Sequence, residues 1–296
     1  MREVVCLDPS RSPRRAVCLA ILLAAAVVAS LPGDAVAQQA PVVWAGANGS
    51  PVEFADASAL SEFLVEADII ENEGTEVGTT GPRKLTLARD GIQLHAAFRN
   101  VDETHSRLRL PDGSYFQRLR DYSGFEVAAY RLSLLLGLDN VPPAEHRTVN
   151  REDGTVQVWV EGTMMEKDRL ENELRSPQAM EWSRQLQEML AFDQLIGNVD
   201  RNAGNMLIDE NWKVWLIDHT RAFQQGDKLT NPERIRMVRR GFWDALQALD
   251  RETIEAAISH DVDGKGISEL MKRHEALVHH IQSLIDQRGE GAVIWE

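Results

Sequence analysis

The spacing of apolar and polar positions predicts two β-hairpins in the first half of the chain. Lys84–Ala88 and Ile92–Phe98 flank Arg89-Asp90-Gly91, and an Asp-Gly pair between two such runs is typical of a tight hairpin turn. Ala144–Val149 and Thr155–Val160 are expected to pair in the same way, since they flank a second acidic, glycine-containing turn. That second turn is expected at Glu152-Asp153-Gly154.

Helical periodicity dominates the second half and appears once in the first. Ser123–Leu136 has apolar residues on one face and is followed by Gly137, a typical helix stop. Ala59–Ala67 could be either a helix or the run into a first strand. The later helices are predicted at Gln178–Ile196, Arg240–Ile258 and Gly266–Arg288. Strands followed by helices favour an α+β fold or two lobes.

The first 37 residues have the pattern of a signal peptide. Arg11, Arg14 and Arg15 precede the apolar run Ala16–Leu31, and Ala35-Val36-Ala37 is a typical cleavage site before Gln38. An uncleaved anchor and a twin-arginine signal are the alternatives. We therefore expect an exported protein, periplasmic or secreted, with no membrane span in its mature part.

Charge and cysteine content narrow the function classes. The chain has a net charge of −14, and its first 37 residues contain four arginines and three acids, so the mature part carries −15. Such a chain should repel nucleic acid, and no nucleic-acid partner is expected. Its two cysteines, Cys6 and Cys18, both lie in the signal segment, which excludes a cysteine nucleophile or thiolate metal site from the mature part.

The stretch from position 198 to 219 carries the candidate chemistry. Asp200 is followed five residues later by Asn205, then by a short hairpin whose second run ends in Asp218. Phosphoryl transfer needs a carboxylate to orient the attacking hydroxyl, and an amide and a second carboxylate to hold Mg²⁺. The same spacing also fits a plain turn between a helix and a hairpin.

These residues resemble known kinases. The step from Asp200 to Asn205 matches the kinase catalytic loop, and Asp200-Arg201 resembles the phosphatidylinositol 3/4-kinase and HipA-type groups. The secreted Golgi casein-kinase family belongs to the same atypical group. Four more segments, in order, are similar to type II phosphatidylinositol 4-kinases: Gly78–Gly81 to their phosphate loop, Phe125–Pro143 to their αC region, Val156–Asp168 to their last N-lobe strand and hinge, and Ile217–Phe223 to their metal-binding segment.

The resemblance implies a role for each matching position. Asp200 would accept or orient the substrate hydroxyl, and Asn205 and Asp218 would bind Mg²⁺ or Mn²⁺. Arg201 could either steady the loop or meet a phosphate. ATP or another nucleoside triphosphate would be held by Gly78, Thr79, Thr80 and Gly81 over the phosphates, by Arg99 and Glu126, and by Val160 and Glu161 at the adenine.

Three positions leave a choice open or depart from the family pattern. Glu126 could be the αC glutamate, or it could close a capping box with Ser123. Arg99 stands where kinases have a lysine, with Lys84 as the nearest substitute, and the two side chains are not interchangeable. His219-Thr220 replaces the glycine that normally follows the metal-binding Asp218, so a stiffer segment is expected there.

We expect an exported atypical kinase with a bilobal, kinase-like α+β fold, which transfers a γ-phosphoryl group to an unknown hydroxyl acceptor on protein, lipid or a small molecule. The alternatives are a pseudoenzyme that binds a nucleotide or a partner, and a transferase of another group such as a nucleotidyl. The expected divisions are 1–37 for the signal peptide, 38–58 for a leader, 59–161 for a strand-rich N-lobe with one αC-type helix, and 162–296 for a mainly helical C-lobe.

Overall fold

The computed structural model describes residues 41–74, 82–109, 113 and 115–296. The predicted signal peptide and the predicted phosphate loop Gly78–Gly81 lie outside the described residues. None of the helices in the described ranges is long and apolar enough to cross a membrane.

The chain enters through a hairpin and a helix. Strands β1 (Val42–Ala45) and β2 (Pro51–Phe54) pair antiparallel within the predicted leader. Helix α1 (Ala57–Glu66) begins at Asp56, whose side chain accepts the N–H of Ala59 at 2.8 Å and so satisfies one free donor of the first turn. The ambiguous segment Ala59–Ala67 is therefore mostly helical.

A meander follows α1. Strand β3 (Asp68–Gly74) pairs with β4 (Arg83–Arg89), which pairs with β5 (Ile92–Arg99). Asp90 and Gly91 both have positive φ, 52° and 79°, as a two-residue type I′ turn requires. The first predicted hairpin is thus confirmed.

A polar hairpin and the first long helix come next. Strands β6 (Asp102–Arg109) and β7 (Tyr115–Tyr122) pair with each other rather than with the main sheet. Helix α2 (Gly124–Leu135) confirms the helix predicted at Ser123–Leu136, and Gly137 follows it with φ 65°.

The second predicted hairpin exists, but its turn lies earlier than predicted. Strands β8 (Ala144–Val149) and β9 (Glu152–Val158) are joined by Asn150-Arg151, both with positive φ, so the expected turn at Glu152-Asp153-Gly154 is wrong. Gly154 lies inside β9 instead. A Cβ there would come within 2.2 Å of the Arg99 carbonyl oxygen, so the glycine permits close strand packing.

Five antiparallel strands form the main sheet, in the order β3-β4-β5-β9-β8. Its apolar face buries residues of α1 and the strands, among them Leu64, Leu85, Leu94 and Phe98. A second core joins α2 to the helical half through residues such as Leu132, Phe192 and Leu216.

The second half is mainly helical around a small three-stranded sheet, β10-β11-β12. Gly197 ends the long helix α4 in the left-handed conformation, and the helix predicted at Gln178–Ile196 is confirmed. The elements from the connecting segment onward are β10 (Met164–Met165), α3 (Glu166–Glu171), α4 (Ala179–Ile196), β11 (Met206–Ile208) and β12 (Val214–Leu216).

The helix predicted over Arg240–Ile258 is two helices. Asp250 caps the second by accepting the N–H of Thr253 at 2.8 Å, and Leu249 before it is extended. The remaining elements are a short 3₁₀ turn Pro232–Arg234, β13 (Val238–Arg239), α5 (Arg240–Ala248), α6 (Arg251–Ile258), α7 (Gly264–Arg288), a 3₁₀ turn Glu290–Ala292 and β14 (Ile294–Trp295).

Candidate active site

A cleft of about 660 Å³ lies between the main sheet and the β11–β12 hairpin. One side of the cleft is lined by strands β5 and β9 and the segment after β9. The other side is lined by Gly204 and Asn205 before β11 and by Ile217 and Asp218 after β12. Five of the predicted site residues border this cleft: Arg99, Val160, Glu161, Asn205 and Asp218.

Arg99 is a cation on the lining of the cleft. It is the last residue of β5, and its side chain is only 16% exposed. Its Nε lies 3.8 Å from Glu126 Oε1, and its Nη2 lies 3.3 Å from Asp218 Oδ2. The guanidinium therefore bridges a helix carboxylate and a cleft carboxylate, which a fork of separate N–H donors makes possible.

The structure decides between the two interpretations of Glu126. Ser123 makes no side-chain hydrogen bond at the start of α2, so the capping box is not formed. The Glu126 carboxylate is instead buried, and it accepts the backbone N–H of His219 at 3.0 Å and Gln157 Nε2 at 3.3 Å. Burial raises its pKa, but the hydrogen bonds from His219 and the charge of Arg99 outweigh burial, so the pKa lies below its ordinary value.

His219 extends this contact into a buried polar chain. Its Nδ1 lies 3.1 Å from Glu126 Oε2, and its Nε2 lies 2.9 Å from Nη2 of Arg201. Because a guanidinium can only donate, Nε2 accepts, and the imidazole proton sits on Nδ1 facing Glu126. The imidazole of His219, at the position where glycine was expected from the resemblance, thus links α2 to the loop that contains Asp200.

Arg201 steadies the loop, which was one of its two predicted roles. It forms a two-point ion pair with buried Asp193, at 2.9 and 3.1 Å. Its Nη1 also donates to the carbonyl oxygens of Asn205 and Ile217, at 2.5 and 2.8 Å. Together with the contact to His219, these bonds use all five N–H donors of the guanidinium, so Arg201 is committed to the loop.

Asp200 and Asn205 are placed by contacts within the loop. Asn205 Nδ2 donates to the Asp200 carbonyl oxygen at 2.8 Å, which leaves the Asn205 amide oxygen as the atom available to a cation. The Asp200 N–H donates to Asn198 Oδ1 at 3.1 Å. Ile217 N–H donates to the Asn205 carbonyl at 3.3 Å, and this bond ties the loop to the residue preceding Asp218.

Asp218 ends the segment with an unusual backbone. Its φ is 59°, which a non-glycine residue seldom adopts, and its Oδ1 accepts the Thr220 hydroxyl at 3.0 Å. Asn205 and Asp218 both line the cleft, and together they offer an amide and a carboxylate oxygen. This donor set fits Mg²⁺ or Mn²⁺, which prefer oxygen ligands.

Arg221 is a site residue that the sequence patterns did not single out. Its Nη1 donates to Asp200 Oδ2 at 2.8 Å, and its Nε donates to Asp121 Oδ2 at 2.7 Å. Burial raises the pKa of the Asp200 carboxyl above its ordinary value, and Asp218 adds to that rise, while Arg221 and Asn202 oppose it. The sequence signal that could have identified Arg221 is a charged residue three positions after Asp218.

Val160 and Glu161 also line the cleft. The Glu161 carboxylate contacts His95 Nδ1 and lies 3.8 Å from the Lys84 ammonium. Lys84 also lies 4.8 Å from the centre of the Trp159 ring. Lys84 is thus occupied here, and Arg99 is the cation beside Glu126 and Asp218. Lys167 also borders the cleft, although the sequence did not single it out.

Comparison with solved structures finds a similar fold. The structure of hydra Fam20 with sugar is similar, with a TM-score of 0.60 and 15% identity, over 81% of this chain and 92% of that chain. A Helicobacter pylori proinflammatory kinase, CtkA, matches at 13% identity and a TM-score of 0.45, over 79% of this chain and 99% of that one. The sequence matches no family model and no curated protein. The likeness to Fam20 confirms the predicted α+β, kinase-like fold.

Proposed function

We propose that the protein is an exported kinase that transfers the γ-phosphoryl group of ATP, or of another nucleoside triphosphate, to a hydroxyl group. One observation carries this proposal: Arg99 bridges Glu126 and Asp218 on a cleft that Asn205 also lines, with Asp200 in the adjoining loop. A cation, two metal-binding oxygens and a hydroxyl-orienting carboxylate are the parts that phosphoryl transfer requires.

Asp200 is the proposed partner of the acceptor hydroxyl. Arg221 holds Oδ2 and Asn202 Nδ2 lies 3.2 Å from Oδ1, so the carboxylate has one orientation. In that orientation Asp200 would accept the hydroxyl proton as the acceptor oxygen attacks the γ-phosphorus. The bond from the γ-phosphorus to the β,γ-bridging oxygen would break, and the nucleoside diphosphate would leave. The raised pKa of Asp200 makes its carboxylate a better proton acceptor than an ordinary aspartate.

Asn205 and Asp218 would hold Mg²⁺ or Mn²⁺. The bound ion would neutralise charge on the phosphate oxygens. Thr220 restrains one oxygen of Asp218, and Arg99 lies against the other. Arg99 would then make the phosphate contact that a lysine makes in other kinases. Glu126 would hold Arg99 in position, and His219 would hold Glu126.

The remaining nucleotide contacts are proposed from the resemblance and from the cleft. Val160 and Glu161 would bind the adenine in the cleft. Gly78, Thr79, Thr80 and Gly81 would cover the phosphates with backbone N–H groups. The acceptor class, whether protein, lipid or small molecule, is left open by these residues.

Export is proposed from the pattern of the first 37 residues. Expression of the full chain in a bacterial host, followed by intact mass measurement of the exported fraction, tests it. We expect a chain that begins at Gln38. A chain that retains Met1 in the cytoplasmic fraction would contradict export and would leave the kinase proposal intact.

A second candidate is a pseudoenzyme that binds a nucleotide or a partner without transferring phosphate. The contact between Arg99 and Asp218 favours it, because a guanidinium paired with the metal-binding carboxylate competes with the ion. The sequence departure at Arg99 supports the same candidate.

Two measurements, each made on wild type and on Asp218→Ala, separate these candidates. Thermal unfolding with ATP and Mn²⁺ reports binding, because a ligand at about 100 times its Kd stabilises the folded state by about 2.7 kcal/mol. ATP consumption reports turnover. The kinase proposal expects both signals in wild type and neither in Asp218→Ala. Stabilisation without consumption would support the nucleotide-binding pseudoenzyme. The absence of both signals would overturn the kinase and the nucleotide-binding pseudoenzyme, and would leave the partner-binding form.

A further inference from the structure

A second cluster of metal-ligating side chains lies outside the cleft. His146 belongs to β8 of the main sheet, whereas His260 and Asp261 lie in the loop between α6 and α7. Their ligand atoms all lie within 4.8 Å of one another. None of the three borders the cleft that contains Asn205 and Asp218.

The distances within the cluster suit a small ion. His146 Nε2 lies 3.0 Å from Asp261 Oδ1, and His260 Nδ1 lies 3.2 Å from the same oxygen. Ligand atoms bound about 2.0–2.1 Å from a tetrahedral zinc ion are about 3.3 Å apart. Small side-chain rotations would therefore bring both nitrogens and one carboxylate oxygen around a common centre.

Asp261 is the buried anchor of the cluster. Its side chain is 0% exposed, and the ion-pair partners it has in the described part of the chain are the two histidines. Tyr122 OH also donates to Oδ1 at 3.3 Å, as an outer hydrogen bond to a metal-binding carboxylate commonly does. The Asp261 carboxylate is therefore paired with imidazoles rather than with Lys or Arg, and imidazoles can bind a metal ion together with a carboxylate.

We propose that His146, His260 and Asp261 bind a divalent transition-metal ion of the zinc type. Two imidazoles and one carboxylate are borderline ligands that favour such an ion over Mg²⁺, which prefers oxygen. The side chain of His260 is 68% exposed, so a fourth ligand position is open to water or to a group from another molecule.

The ion would join the main sheet to the helical half at the start of α2. Tyr122, which contacts Asp261, is followed two residues later by Gly124, where a Cβ would lie 2.4 Å from Asp261 Oδ1. Since α2 also carries Glu126, the metal site would hold the helix that positions Arg99. Its role is structural and does not depend on the proposed kinase activity.

Titration of the full chain with Zn²⁺ and with Co²⁺, in excess Mg²⁺, tests the site. We expect one tight ion per chain and the visible absorption of Co²⁺ in a low-coordinate nitrogen and oxygen site. Zn²⁺ should also raise the thermal unfolding temperature. In His260→Ala the affinity should fall by more than about tenfold, because even the loss of an outer-shell contact to a metal ligand costs that much.

Two controls make the result specific. His279→Ala removes an exposed histidine of α7 away from the cluster, and its titration should equal that of wild type. Asp218→Ala should keep the Co²⁺ spectrum, which separates this site from the cleft. The proposal is overturned if wild type binds no ion more tightly than His260→Ala does, since the cluster is then held by hydrogen bonds alone.

Discussion

Arg99 and Asp218 contact each other on the lining of the cleft, with Nη2 of the arginine 3.3 Å from Oδ2 of the aspartate. The same guanidinium lies 3.8 Å from Glu126 Oε1 through Nε, so one side chain contacts two carboxylates. Because both contacts depend on the guanidinium, they set the direction of the first prediction.

Arg99→Lys should lower the kcat/KM for ATP by about tenfold or more, because a single ammonium cannot keep both carboxylate contacts. Steady-state ATP consumption measures the change. Arg107→Lys, on the β6–β7 hairpin, is the matched control and should leave kcat/KM unchanged. A gain of activity in Arg99→Lys would mean that the native protein is a weakened kinase, contrary to this account.

Arg221→Gln should move the acidic limb of the pH profile of kcat/KM to higher pH. Asp200 must be deprotonated to accept a proton, and the charge of Arg221 lowers the pKa of Asp200. Removal of that charge raises the pKa, so activity is lost earlier as the pH falls. Arg221→Lys keeps the charge and should shift the limb less. A limb that moves to lower pH in Arg221→Gln would refute the assignment.

Asp200→Asn should separate activity from stability. The raised pKa of Asp200 means that its ionised form costs folding free energy at neutral pH, and this cost disappears as the pH falls through the folded-state pKa. The variant should therefore unfold at the same or a higher urea concentration. Its activity should fall by about 100-fold or more, the usual contribution of a positioned acid or base. A large loss of stability would show instead that Asp200 is mainly structural.

His219→Ala should destabilise the protein by about 2–4 kcal/mol, because it leaves the buried Glu126 carboxylate without its imidazole partner. Urea unfolding at neutral pH measures the loss. His279→Ala, an exposed position, should change stability by less than about 0.5 kcal/mol.

The difference in stability between wild type and His219→Ala should depend on pH. The pKa of Glu126 is lowered in the folded state, so its contribution to stability is complete above its ordinary value of 4.5 and is lost as the pH falls through the folded-state value. The difference in stability between wild type and His219→Ala should shrink over that acidic range. A constant difference would show that the imidazole acts by packing alone.

Local patterns were sufficient where one residue type determines the backbone. The Asp90-Gly91 turn, the Gly137 helix end and the long helix α4 were predictable from short windows. The β8–β9 turn was misplaced because Gly154 serves close strand packing, whereas Asn150-Arg151 makes the turn. The β6–β7 hairpin carries too few buried residues for an apolar alternation to reveal it.

The candidate site divides in the same way. Asp200, Asn205 and Asp218 were predicted from their spacing, and the structure places Asn205 and Asp218 on the same cleft. The contact of His219 with Glu126 joins residues 93 positions apart, and that of Arg221 with Asp200 joins residues 21 positions apart. Such pairings depend on how helices and loops pack, which no local pattern specifies.

Transfer of label from ATP is the most direct test of the proposed phosphoryl transfer. The full chain, with Mg²⁺ or Mn²⁺, is incubated with ATP labelled at either the γ- or the α-phosphate, together with protein, lipid and sugar acceptors. We predict transfer of the γ-label only, and its loss in both Asp200→Asn and Asp218→Ala. Transfer of the α-label, or equal γ-labelling by wild type and Asp218→Ala, would contradict the account.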